Sequence, residues 1–169
     1  MHHIQIIEYQ NQYRQQIIDM VLHIQQKEFG STITLDDQPD LSDIPAFCEK
    51  WNGKFWLAIN AEAQVVGTIA LLDIGNRWAA LRKMFVREDH RGKTFGVGLA
   101  LLNGLFAWAI HQGIQEVFLG TTAWFLAAHR FYEKNGFIEI PKDSLPTSFP
   151  AMDLDVKFYR KYLDVSAQT

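Results

Sequence analysis

The chain has 169 residues, 48% of them hydrophobic and 21% charged, with a formal net charge of −3. This is enough to bury a core, too apolar for a disordered chain, and too acidic for a protein that grips nucleic acid through a basic face. The single cysteine, Cys48, excludes an internal disulfide, no basic-then-apolar leader opens the sequence, and no apolar run reaches the roughly 18 residues of a membrane span. These features predict a cytoplasmic protein with neither nucleic acid nor membrane as partner.

Ile4 and Ile6 alternate with Gln5 and open a first strand that runs to Tyr9. Tyr13, Ile17, Met20, Val21 and Ile24 recur at three- and four-residue steps, which predicts a helix to about Phe29, stopped at Gly30. Residues 31–40 read as a polar loop ending in Gln38-Pro39-Asp40, and a second helix is expected from about Ser42 to Trp51, with Ser42 or Asp43 as cap and Pro45 in its first turn. Three strands then follow at Phe55 to Ile59, Val65 to Ile74 and Trp78 to Val86, with turns at 60–64 and at Gly75-Asn76, the pattern of an antiparallel meander.

After a glycine-bearing turn, Val97, Leu101, Leu105, Trp108 and Ala109 share one face of a helix that ends at Gly113. Ile114 to Leu119 reads as a short buried strand, Ala123 to Asn135 as a helix closed by a left-handed Gly136, and Phe137 to Ile140 as a strand. Met152, Leu154, Val156 and Phe158 alternate with charged residues and predict a last strand. The order β-α-α-β-β-β-α-β-α-β-β predicts an α/β fold, with a mixed, mostly antiparallel sheet and helices on both faces. It reads as a single domain over residues 1–165, with a frayed tail at 166–169.

The turn before the long helix, Val86 to Gly98, is the most informative stretch. Glycines admit close approach of a ligand, and the first amides of a helix have no internal acceptor, so the pair forms an anion cradle. A Walker loop would need glycine five places before Gly92-Lys93-Thr94, where Arg87 stands. A dinucleotide fingerprint would need a third glycine where Leu101 stands, and its strand would belong to a βαβ unit rather than a meander.

The segment Arg91-Gly92-Lys93-Thr94-Phe95-Gly96 resembles the pyrophosphate loop of the GNAT acetyltransferase superfamily. About forty residues on, Ala128-His129-Arg130-Phe131-Tyr132-Glu133-Lys134-Asn135-Gly136-Phe137 resembles the superfamily's acetyl-group block, and Leu81 to Val86 resembles its central strand. Gln25 to Gly30, Gln38 to Leu41 and Ser148 to Pro150 look like segments of bacterial members. Glycine turns and capped helix ends are common one at a time; both blocks in this order on the expected elements are not.

The resemblance implies a single N-acetyltransferase domain that uses acetyl-CoA as co-substrate, without a metal, and acetylates an amine on a small molecule or a peptide. It implies that the pyrophosphate meets the amides of Gly92, Lys93, Thr94, Phe95, Gly96 and Val97, with Arg91 as charged partner. Pantetheine would meet the backbone of Met84, Phe85 and Val86. The Val86 N–H would serve the developing oxyanion, and Tyr132 would be the general acid for the departing thiolate.

The chain departs from the superfamily pattern at Thr94, where glycine is usual, at Phe125, where asparagine is common, and at Ala80, where a glutamate base is common. These departures keep open a second reading, an idle acyl-CoA binding or sensing module. No base is singled out: Glu28, Asp73, Asp153 and Asp155 all read first as surface carboxylates, and a water chain would also serve. Cys48 reads as a small core residue, and the histidines show no metal-ligand spacing. The sequence leaves the acceptor open, and the assembly open between monomer and homodimer.

Overall fold

The computed structural model describes residues 3–164; the tail expected to fray at residues 166–169 lies outside them. Strands Gln5–Glu8 (β1), Lys54–Ile59 (β2), Val65–Gly75 (β3), Trp78–Val86 (β4), Glu116–Thr121 (β5), Ile138–Ile140 (β6) and Lys157–Tyr162 (β7) form a seven-stranded sheet ordered β1-β2-β3-β4-β5-β7-β6. The β4–β5 pair is parallel, while β1–β2, β2–β3, β5–β7 and β6–β7 are antiparallel. The mixed α/β, mostly antiparallel architecture expected from the sequence is therefore present. The chain gathers into two compact units, one of residues up to Leu72 with Arg82–Phe106, the other of Asp73–Leu81 with the chain from Ala107 onward.

In the first unit, the helix Arg14–Leu22 (α1) lays Ile17, Ile18 and Val21 on Phe55 and Leu57 of β2 and Val65 of β3. Burial of each such side chain stabilises the fold by about 1.5–3 kcal/mol. The expected long helix is not α-helical to its end. His23–Glu28 is a π-helical segment, with Phe29 N–H bonding the Ile24 carbonyl at 3.1 Å, a spacing that side-chain periodicity does not reveal. The 31–40 segment, expected to be loop throughout, enters a short helix at Pro39–Ser42 (α2). Within this region the amides of Gln25 and Gln38 are buried against each other, each donating to the other at 2.9 Å, so neither polar group is orphaned.

The next helix, Ile44–Lys50 (α3), begins at Asp43, whose Oδ1 accepts the Ala46 N–H at 3.1 Å. The helix Val97–His111 (α4) starts tightly on β3. A Cβ at Gly67 would lie 2.9 Å from side-chain atoms of Val97 and Leu101, so glycine is what lets the helix start there.

In the second unit, Asn76 and Arg77 are both left-handed and make the two-residue hairpin that turns β3 into β4. The strand expected at Ile114 begins at Glu116, because Ile114 N–H still closes α4 on the Ala109 carbonyl. The helix Leu126–Lys134 (α5) begins three residues later than expected and ends as expected, with Gly136 at φ +91° and Phe137 N–H on the Tyr132 carbonyl. The last strand is displaced. Residues 152–156 lie outside any strand despite their alternation, although Val156 N–H already reaches the Thr121 carbonyl at 3.0 Å, and Leu154 and Val156 are exposed. Pairing starts at Lys157, opposite Thr121, where β5 ends.

Candidate active site

β4 leads into the single turn Glu88–His90 and then the glycine loop. Asp89 fixes the start of this loop, taking Arg87 Nε at 2.7 Å and Nη2 at 3.1 Å and His90 Nδ1 at 2.8 Å. Hydrogen bonds from Arg87 and then His90 hold its carboxyl down to about 2. Positive φ falls on Gly92 (+98°) and Gly96 (+64°), not on Thr94, so threonine carries no left-handed strain at the position where it departs from the usual glycine. A Cβ at either glycine would meet no protein atom within 4 Å. Conformation rather than space therefore demands glycine at both.

The first helical bond of α4 runs from Ala100 N–H to the Gly96 carbonyl at 3.0 Å, which makes Gly96 the cap. The amides of Val97, Gly98 and Leu99 then have no acceptor inside the helix and carry its partial positive charge. The Gly96 N–H is used within the loop, on the Gly92 carbonyl at 3.2 Å, so a ligand would have to share it.

Arg91 is placed beside this cradle and is already engaged. Its Nε donates to the Val86 carbonyl at 2.8 Å, and its two terminal nitrogens pair with the two carboxylate oxygens of Glu28. Arg91, Val86 and the Gly92–Val97 loop, all singled out from sequence, are thus brought together in the first unit. Glu28, a candidate base from sequence, is here a guanidinium partner.

β4 carries a feature that the sequence did not announce. Lys83 sits at φ +52°, which costs a side-chain-bearing residue about 1–2 kcal/mol. Its Nζ lies 3.1 Å from Asp40 Oδ1, and Arg82 Nη2 lies 3.2 Å from Asp40 Oδ2. Asp40 is only 1% exposed, and its oxygens receive no well-aligned hydrogen bond, so these charge contacts are what compensate its burial. No pattern in the sequence links residue 40 to residues 82 and 83, and a polar segment around Pro39 reads as solvated loop. Met84, Phe85 and Val86 follow as half-buried strand residues, and the parallel ladder of β4 with β5 covers Trp78, Ala79 and Ala80.

Tyr132 belongs to the second unit. It is 4% exposed, and its ring packs edge-on to Phe137 at 5.5 Å and against Tyr159 at 6.0 Å. Burial first, then the neighbouring Tyr159 and Asp155, push its phenol well above the ordinary value of 10.0. It is therefore fully protonated at neutral pH, as a proton donor must be. Tyr159 donates to Glu133 at 2.6 Å, and buried His129 places Nε2 2.8 Å from the Thr122 carbonyl, so that nitrogen carries the proton.

Of the other carboxylates considered as base, Asp73 accepts the Gly75 N–H at 2.9 Å in the hairpin turn, Asp155 accepts the Met152 N–H at 3.0 Å, and Asp153 is exposed. Cys48 is half-buried and its thiol is pushed up by burial, which disfavours a reactive thiolate. Trp124, just before α5, is 46% exposed. Among the described residues no group of three or more His, Cys, Asp or Glu side chains is arranged to hold a metal ion, and no helix is long and apolar enough to cross a membrane.

Comparison with known proteins adds to this geometry. The acetyltransferase (GNAT) family model matches residues 18–137. An acetyltransferase of the GNAT family from Staphylococcus aureus Mu50 superposes with a TM-score of 0.91 at 41% identity, covering 96% of this chain and all of that one. An acetyltransferase from Streptococcus agalactiae 2603 gives a TM-score of 0.89 at 30% identity, covering 95% of this chain and 98% of that one. Among curated proteins, N-acetylaspartate synthetase of Danio rerio is 38% identical over 100 residues, 58% of this chain. The chain spans 34% of that relative's length.

Proposed function

Because the chain belongs to the acetyltransferase (GNAT) family, we propose that it carries an acetyl group from acetyl-CoA to a primary amine, by direct attack of that amine on the thioester. Acyl-CoA-dependent acetyl transfer follows from the family; the primary amine and the direct route are the finer reading. The observation that carries it is the cradle at the start of α4, where two left-handed glycines turn the chain so that the first helical amides are left for an anion.

In this reading the diphosphate meets the amides of Gly92 to Val97, with Arg91 exchanging its carboxylate partner for phosphate oxygens. The backbone groups of Met84, Phe85 and Val86 meet the pantetheine amides. As the amine adds, the thioester oxygen gains negative charge, and the Val86 N–H is the donor aimed at it. The C–N bond forms, the C–S bond breaks, Tyr132 gives its proton to the departing sulfur, and the proton that the nitrogen sheds as it becomes an amide passes to solvent, from which the phenol is reprotonated. An alkylamine is almost wholly protonated at neutral pH, with a pKa near 10.4, so it must first lose a proton to a carboxylate or to water.

The name of the curated relative makes a small amino-acid amine, aspartate first, the acceptor to try before polyamines and peptides. Thiol release from acetyl-CoA, followed across such a panel with mass detection of the acetylated amine, tests the reading. Turnover on at least one amine is expected. Absence of any stabilisation by acetyl-CoA would overturn it, and binding without turnover on any amine would return the chain to the idle module.

A further inference from the structure

Arg82 and Lys83 are neighbours on β4, and in a regular strand neighbouring side chains leave on opposite faces. One carboxylate then cannot meet both. Asp40 does meet both, through Oδ1 to Lys83 and Oδ2 to Arg82, at 3.1 and 3.2 Å. What makes this geometry reachable is the left-handed Lys83, which kinks the strand as a bulge does. The kink is held on the backbone as well, because the hydroxyl of fully buried Thr68 on β3 donates to the Lys83 carbonyl at 2.7 Å. A costly backbone conformation is thus held by one buried carboxylate, two cations and a hydroxyl, immediately before Met84-Phe85-Val86.

We propose that Asp40 is a positioning residue for acetyl transfer: by gathering Arg82 and Lys83 it holds the kink that aims the backbone of Met84 to Val86 at the acyl-CoA. This rests on the assignment of those backbone groups to the cofactor. The carboxylate acts through the strand and contacts no reacting atom.

The test compares Asp40→Asn with the triple variant Asp40→Leu/Arg82→Met/Lys83→Met. The single change removes the counter-charge that Asp40 supplies to Arg82 and Lys83 and is expected to lower the melting temperature or prevent folding. The triple change replaces the ionic cluster by apolar side chains of similar volume, which proteins commonly accept without loss of stability. With folding restored, the triple variant should still show kcat reduced about 100-fold, the scale of a remote misplacement of about 1 Å, together with weaker acetyl-CoA binding by calorimetry. In ligand-free crystals its residue 83 should leave the left-handed region. A triple variant with native melting temperature, acetyl-CoA affinity and kcat would overturn the proposal. If the wild-type protein does not bind acetyl-CoA, the functional reading falls instead. The crystal conformation of residue 83 then decides the clamp alone, and retained positive φ without Asp40 refutes it.

Discussion

Arg91 and Glu28 face each other fork to fork, 63 residues apart in sequence, with both guanidinium terminal nitrogens on both carboxylate oxygens. The arginine that opens the glycine loop is thereby neutralised while its Nε stays on the Val86 carbonyl. A phosphate approaching this arginine competes with a carboxylate that is already bound.

Glu28→Gln should therefore tighten acetyl-CoA binding. The pair is partly exposed, with side-chain exposures of 36% for Arg91 and 17% for Glu28, so it is worth about 0.2–1 kcal/mol, or roughly a 1.4- to 5-fold change in the dissociation constant. Isothermal calorimetry at low and moderate salt measures this. Weaker binding in the variant would mean that Glu28 presents the arginine to the ligand rather than competing for it.

Gly96 separates conformational from electrostatic effects. At φ +64° any Cβ is strained, by about 1–2 kcal/mol for alanine, whereas asparagine and aspartate tolerate this region better. Thermal melts should rank Gly96→Ala below Gly96→Asn. Affinity for acetyl-CoA should rank differently, with Gly96→Asp weakest because it sets a negative charge beside the helix start where the diphosphate is proposed to lie. Equal affinity of the asparagine and aspartate variants would remove the anion from this loop.

The parts legible in sequence are those whose causes are local. The meander from Lys54 to Val86 shows itself through short turns between β-rich runs, and Trp78–Val86 emerges with its observed bounds. The glycine loop and Gly136 show themselves because positive φ leaves a residue-type signature. The π-helical segment at His23–Glu28 leaves none, since its apolar spacing also fits an α-helix. The last strand is misplaced because alternation at 152–156 is necessary but not sufficient, and a strand starts where a partner ladder exists, here opposite Thr121. In the candidate site, the loop and Arg91 are recognisable as a motif, but Glu28 and Asp40 are not. Their meaning comes from cations brought to them across 63 and more than 40 residues of chain.

Tyr132→Phe isolates the proposed acid. The phenol is buried and its ring contacts survive in phenylalanine, so folding should be retained. Loss of a general acid costs about 100-fold or more in kcat, and acetyl-CoA affinity should not change. Stopped-flow or steady-state thiol release reads the first and calorimetry the second. A variant that turns over as the wild type does would remove Tyr132 from the chemistry.

The same burial predicts a response to alkaline pH. Tyr132 and Tyr159 are both raised above 10.0, the former by burial and then by Tyr159 and Asp155, the latter by burial and then by its hydrogen bond to Glu133 and the charges of Glu133 and Glu139. Below pH 10 both phenols are protonated in the folded and unfolded chains, and their burial is indifferent to pH. Above it the unfolded chain releases these protons and the folded one keeps them, so the native state binds more protons and stability falls as pH rises. Each buried tyrosine adds about 1.4 kcal/mol of loss per pH unit until its folded value is reached. Urea unfolding at pH 9, 10 and 11, roughly spanning the unfolded phenol value, should show a stability flat at first and then declining. Tyr132→Phe should remove one proton's worth of that slope. A slope unchanged by the substitution would show that the Tyr132 phenol ionises in the folded protein as readily as in the unfolded chain, and with that the protonated donor proposed for the thiolate would be lost.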